Sequence, residues 1–222
     1  MMDVIPMERV EHQKFVDLSR CFVGLWDRIA PGHDPYPYLT EITQRYAEPH
    51  RHYHTLEHVA DCLMTYQEVS YLLDDPEAVE CAIWYHDIIY DVTRGDNEEQ
   101  SAILAGERLR DAGAATVFRR SVESLIRDTT HIDIPHANDG RYMVDIDMAI
   151  LGSEPERFRE YERCLKEEYV PHANIPEEKL IGMRKGFLNS LLKKGHIYHT
   201  HHFRESYENQ ARENIHRSLV SL

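Results

Sequence analysis

The stretch Thr55-Leu-Glu-His-Val-Ala-Asp-Cys-Leu-Met-Thr-Tyr-Gln-Glu-Val-Ser-Tyr-Leu-Leu73 decides the fold. Val59, Cys62, Leu63, Tyr66 and Val69 recur at spacings of three and four, which places them on one face of a helix. Thr55 is a natural N-cap, with His58 at the position where a capping-box acid often stands. His58 precedes Cys62 by four residues and therefore points to the apolar side. Asp74-Asp75-Pro76 stops this helix and starts the next, predicted over 77–90 with Val79, Ala82, Ile83 and His86 facing inward.

Outward from this pair the same period continues. Residues 8–30 read as a helix with Val10, Phe15, Leu18, Phe22, Leu25, Trp26 and Ile29 on one face, closed by Pro31-Gly32. A short helix is predicted over 37–46, and longer ones over 97–112, 115–130, 142–151, 156–169, 177–192 and 204–219. Residues 47–54, 91–96 and 131–140 read as loops, and strand-like alternation is nearly absent. The expected class is all-α.

A chain of 222 residues fits one domain, and its 42% apolar and 29% charged residues describe a folded chain with a sizeable core. The net charge of −14 disfavours polyanionic partners such as nucleic-acid polymers and acidic membranes. A small phosphorylated substrate stays open, because a bound cation reverses the local field. Residues 1–10 lack a basic segment followed by an apolar core, and no apolar run reaches bilayer length, so a cytoplasmic location is expected. Cys21, Cys62, Cys81 and Cys164 form no Cys-x-x-Cys pair, and because three of them sit among apolar helical positions they read as small buried core residues.

Two segments carry the chemistry: Arg51-His-Tyr-His-Thr-Leu-Glu-His58 and Trp84-Tyr-His-Asp-Ile-Ile-Tyr-Asp91. Imidazoles and carboxylates converging from separate helices suit a divalent cation of intermediate hardness. Adjacent His86 and Asp87 can reach one cation only near a helix end, where the predicted helix places them. A fourth ligand is expected from Val144-Asp-Ile-Asp147, with Asp147 sharing the face of Ile150 and Leu151 and Asp145 held in reserve. No Gly-x-Ser-x-Gly elbow, phosphate-binding Gly-x-x-x-x-Gly-Lys-Ser/Thr loop or His-Glu-x-x-His protease motif occurs.

The pattern His…His-Asp…Asp resembles the HD-domain superfamily of metal-dependent phosphohydrolases. The wording of 46–58, 84–91 and 96–101, continuing through Asp145-Ile-Asp147, Glu168-Tyr169 and the tail 197–214, looks like an uncharacterised bacterial branch of it. The resemblance implies a single HD-like helical bundle over 1–222, with a core of about 47–151 and flanking helices over 8–46 and 155–221. It implies metal ligation by His58, His86, Asp87 and Asp147, with manganese, iron, magnesium, zinc or nickel all compatible. Cyclic-nucleotide phosphodiesterases of that superfamily carry a His-Asn-x-x-His segment; the matching His54 would be the general acid, although Thr55 replaces the Asn. Tyr90-Asp91 stands where those enzymes place a further His.

The expected reaction is cleavage of a phosphate ester of a nucleotide or other small metabolite by metal-activated water, with Asp87 orienting the water. Arg51 is a candidate for neutralising phosphate oxygens, and Glu98 or Glu99 for orienting a ligand or acting as a base. His131 and His136 are candidates for a second metal or the pocket wall, and His199, His201 and His202 read as a solvated turn. The competing readings are a non-catalytic metal- or ligand-binding regulator of the same fold and a di-iron oxygenase-type protein. Substrate and oligomeric state are not encoded in any motif of the chain.

Overall fold

The structure, a computed structural model, describes residues 7–173 and 175–221, with side chains from residue 17 onward. The side chains of Val10 and Phe15 in the first predicted helix, and the opening residues 1–6 altogether, lie outside this description. The described chain is all-α, with no strand. Its helices are α1 (Met7–Ile29), α2 (Tyr36–Tyr46), α3 (Leu56–Val69), α4 (Pro76–Tyr85), α5 (Asn97–Asp111), α6 (Thr116–Asp128), α7 (Asn138–Asp147), α8 (Pro155–Tyr169), α9 (Glu177–Lys193), α10 (His201–Ser206) and α11 (Glu208–Ser221). Short 3-10 turns follow α3 (Ser70–Leu72) and α7 (Met148–Gly152).

The fold is organised around α4. Every residue from Ala78 to Tyr85 is buried, as expected for a helix that is apolar on nearly every side, and its one acid in that span, Glu80, pairs with Arg28 of α1 at 2.6 Å. It touches α1, α3, α5, α6 and α7. Phe22 and Trp26 of α1 stack at 5.2 Å, and Phe22 meets Trp84 of α4 edge-on at 5.2 Å, closing one side. Each of these fully buried side chains contributes on the order of 1.5–3 kcal/mol by leaving water. Cys62 and Cys81 fill this core as expected, whereas Cys21 is exposed. Gly113, at a φ of 72°, ends α5, where the Ala114 N–H reaches back to the Leu109 carbonyl.

Three predicted helices take different bounds, each for a long-range reason. The helix predicted over 77–90 stops at Tyr85 because other segments take its next polar groups. Arg51 donates to the Asp87 and Ile88 carbonyls, the Asp87 N–H donates to the Tyr46 hydroxyl, and the Ile89 N–H donates to Ser101. The helix predicted over 142–151 begins instead at Asn138, inside a predicted loop. Asp139 in its first turn accepts the N–H groups of Asp74 and Asp75 at 2.8 and 2.7 Å, tying α7 to the start of α4. The helix predicted over 204–219 is two, α10 and α11. At the break Glu208 turns inward to accept the N–H groups of Ile197 and Tyr198.

No helix of the described residues is long and apolar enough to cross a membrane.

Candidate metal centre

Three helix ends meet beside α4. Thr55 caps α3, its hydroxyl accepting the Glu57 N–H at 3.3 Å, and this sets His58 in the first turn with only 2% of its surface exposed. His86 is the C-cap of α4, its N–H still bonded to the Ala82 carbonyl. The His86 Nδ1–H donates to the Ile83 carbonyl at 2.9 Å, which leaves Nε2 as the free edge of the ring. Asp147 is the last residue of α7.

The two imidazole Nε2 atoms lie 3.0 Å apart. Asp147 Oδ1 is 3.1 Å from His58 Nε2 and 3.6 Å from His86 Nε2. Asp87 Oδ2 completes the ring at 3.1 Å from His86 Nε2 and 3.6 Å from His58 Nε2. The ligand atoms of His58, His86 and Asp147 all lie within 4.8 Å of one another, so this group can hold a metal ion. The donor set fits that role: two nitrogens and carboxylate oxygens are aimed at one small buried space, and a backbone carbonyl orients the His86 ring.

The electrostatics are those of a tightly coupled cluster. Burial works against charge on His86, yet the Asp87 carboxylate and the bonds from Asp147 hold its proton well above the usual histidine range. Burial likewise opposes the charge on Asp147, and the bonds from His131, His58 and His86 hold it well below the usual carboxylate range. Asp87 is held down against burial chiefly by His86.

His54 stands at the rim with a partner that sequence reasoning did not assign. Its Nδ1 lies 2.5 Å from Oε1 of Glu168, which is fully buried at the end of α8. The other oxygen, Oε2, accepts the N–H groups of His52, Tyr53 and His54 at 2.9, 3.0 and 3.1 Å. Burial raises the Glu168 carboxyl, but His54 and these amides bring it down to about 2. In return the Glu168 charge lifts the His54 imidazole above its usual value, against its own burial. Tyr90 stacks on the His54 ring at a centroid distance of 4.0 Å. The one local hint of Glu168 is an acid in the last turn of a helix, where the macrodipole disfavours negative charge.

Other expected site residues go elsewhere. Arg51 is buried, and four of its five donors are taken. Nε meets Glu48, Nη1 the carbonyls of His54 and Asp87, and Nη2 the Ile88 carbonyl. It therefore fixes the backbone of His54 and Asp87, and the expected phosphate contact gives way to a positioning role. Glu98 is half-buried in the first turn of α5, and no hydrogen bond or ion pair among the described residues joins it to the cluster. Glu99 is paired with Arg127 on the surface.

The choice between the two aspartates of α7 is made by geometry. Asp145 accepts the N–H groups of His199 and Thr200 at 2.8 and 2.7 Å, leaving Asp147 to face the imidazoles. His131 reaches the cluster from the outside, with Nε2 2.9 Å from Asp147 Oδ2. Its φ of 55° makes it the one non-glycine residue with a left-handed backbone among those described. His136 and His201 are exposed, and His199 and His202 are half-buried.

No protein-family model, curated protein or solved structure matches the chain.

Proposed function

We propose that the protein is a metal-dependent phosphohydrolase of the HD-domain type, acting on a small phosphate ester. The observation that carries this reading is the pairing of a metal-capable cluster with a buried carboxylate–imidazole dyad at its rim. His58, His86 and Asp147 supply the ligand atoms, with Asp87 as the fourth. A divalent ion held there would supply positive charge for phosphoryl oxygens and a water acidified toward neutrality.

The chain's own groups do the rest. Glu168 keeps the His54 imidazole protonated and oriented through Nδ1, leaving Nε2 as the proton-donating edge for a leaving oxygen. Tyr90 fixes the ring plane, and Arg51 holds the His54 and Asp87 backbones at a constant spacing. Asp87, ionised at the rim of the cluster, is placed to orient an attacking water.

Metal content and turnover of a panel of phosphomonoesters, phosphodiesters and nucleotides, measured on wild type, His86→Ala and His54→Ala, test this reading. The expected result is metal loss in His86→Ala, and in His54→Ala retained metal with turnover lowered by about 10²–10⁴. A metal-loaded wild type inert on the whole panel would sink it.

A further inference from the structure

Three left-handed residues follow helix ends among the described residues, and two of them are glycines. Gly32, at a φ of 83°, follows α1, and Gly113, at 72°, follows α5. The third, at 55°, is His131, in the turn after α6, where its N–H meets the Asp128 carbonyl at 3.4 Å. Glycine takes this conformation without a Cβ penalty, whereas histidine does not. The ring accounts for the exception. Its Nε2–H donates to Asp147 Oδ2 at 2.9 Å, and its Nδ1 is buried with no hydrogen-bond partner among the described residues. The Asp147 carboxylate is therefore what the strained position brings the ring to.

The two histidines of the cluster are oriented from within their own helices. His86 Nδ1 meets the Ile83 carbonyl three residues back at 2.9 Å, and His58 Nδ1 lies 3.8 Å from Sγ of Cys62 on the next turn. Asp147 ends α7, and the group on its Oδ2 comes from sixteen residues earlier, across a loop. We infer that His131 is a positioning residue, kept in a left-handed backbone so that its ring holds Asp147 Oδ2 and turns Oδ1 toward the cation. The inference rests on the metal-binding part of the function proposed above, whichever ester is cleaved. A carboxylate free to rotate can offer either oxygen or both; a bond to one oxygen removes that choice before an ion arrives. Partners that orient a ligand in this way are worth about 10–100-fold in metal affinity.

Calorimetric titration of manganese into the metal-stripped full chain, with thermal unfolding of the same metal-free samples, tests this on wild type, His131→Gly, His131→Ala and His131→Gln. The Gly and Ala variants are expected to bind manganese about 10–100-fold more weakly than wild type. Gln places an amide N–H where Nε2–H stood and is expected to recover most of that affinity. Without metal, the Gly variant should melt about 2–4 °C above the Ala variant, because only glycine relaxes the backbone. A purely structural His131 would shift melting temperatures and leave manganese affinity alone. Wild-type affinity in the Gly and Ala variants, no recovery with Gln, or a Gly variant melting no higher than Ala would each overturn the inference. Two ions per wild-type chain falling to one in His131→Gln would make His131 a ligand and overturn it as well. Turnover is scored separately. The expected affinities in a wild type that hydrolyses no ester would refute the hydrolase reading and leave the assignment of His131 standing.

Discussion

Glu168 and Asp145 are both buried carboxylates that gather backbone N–H groups of a loop, yet their charges differ in cost. Glu168 collects three amides of the 52–54 segment and also meets the His54 ring, and its carboxyl falls to about 2. Asp145 collects two amides of the 199–200 turn, with Arg204 acting only through space, and burial raises it to about 6. Amide bonds alone do not offset desolvation at Asp145; a cation at hydrogen-bond distance does at Glu168. The first arrangement yields a carboxylate–imidazole dyad at the rim of the metal-capable cluster, with each partner's charge favoured by the other. The second clamps the tail to α7 and frees Asp147 to face the imidazoles.

The largest expected effect comes from breaking the charged side of this contrast. Glu168→Gln leaves His54 without its counter-ion and should destabilise the fold by about 3–5 kcal/mol, read from urea midpoints. The matching change at the other carboxylate, Asp145→Asn, turns one acceptor into a donor facing an N–H group and should cost about 1–3 kcal/mol. Equal losses in the two variants would contradict the role given to His54.

The pH dependence separates the two carboxylates by sign. Glu168 lies below its ordinary 4.5, so its contribution is present above that value and is lost as pH falls toward about 2. Asp145 lies above its ordinary 3.8, so stability is highest below that value and declines as pH rises through about 6. His54 is raised, so its contribution is complete below 6.5 and disappears as pH rises through its folded value. Urea midpoints across pH 3–8 should therefore lose the decline between about 4 and 6 in Asp145→Asn and lose the acid-side fall in Glu168→Gln.

Two smaller changes sharpen the comparison from the scaffold. Gly152 packs against the tail, where an added Cβ would lie 2.8 Å from the Tyr207 backbone oxygen; Gly152→Ala should cost about 1–3 kcal/mol by thermal unfolding. Thr55→Ala removes the cap of α3 and should cost about 1 kcal/mol, with a measurable fall in metal affinity because His58 sits in the first turn.

Much of the scaffold was legible locally. Thr55, the three-and-four spacing after it and Pro76 place α3 and the start of α4, because capping and amphipathic burial act within one or two turns. His58, His86 and Asp147 were also legible, since a histidine or aspartate on an apolar face needs a buried partner. The place of Arg51 is not legible, because an arginine beside a histidine cluster looks the same in sequence whether it meets a phosphate or the three backbone carbonyls it bonds here. The role of Glu168 is not legible in the sequence because its three amide partners lie 114 to 116 residues away.

By itself the sequence determined the helical class, the cap that turns His58 inward, and the apolar face of α4 that His86 continues. These follow from periodicity and from hydrogen bonds between near neighbours. Tertiary structure alone decided which aspartate of α7 faces the imidazoles, where α4 stops, and that His54 is paired with Glu168. Each of those outcomes depends on which distant backbone N–H or carbonyl a buried polar side chain must satisfy, and that partner exists only once the chain has folded.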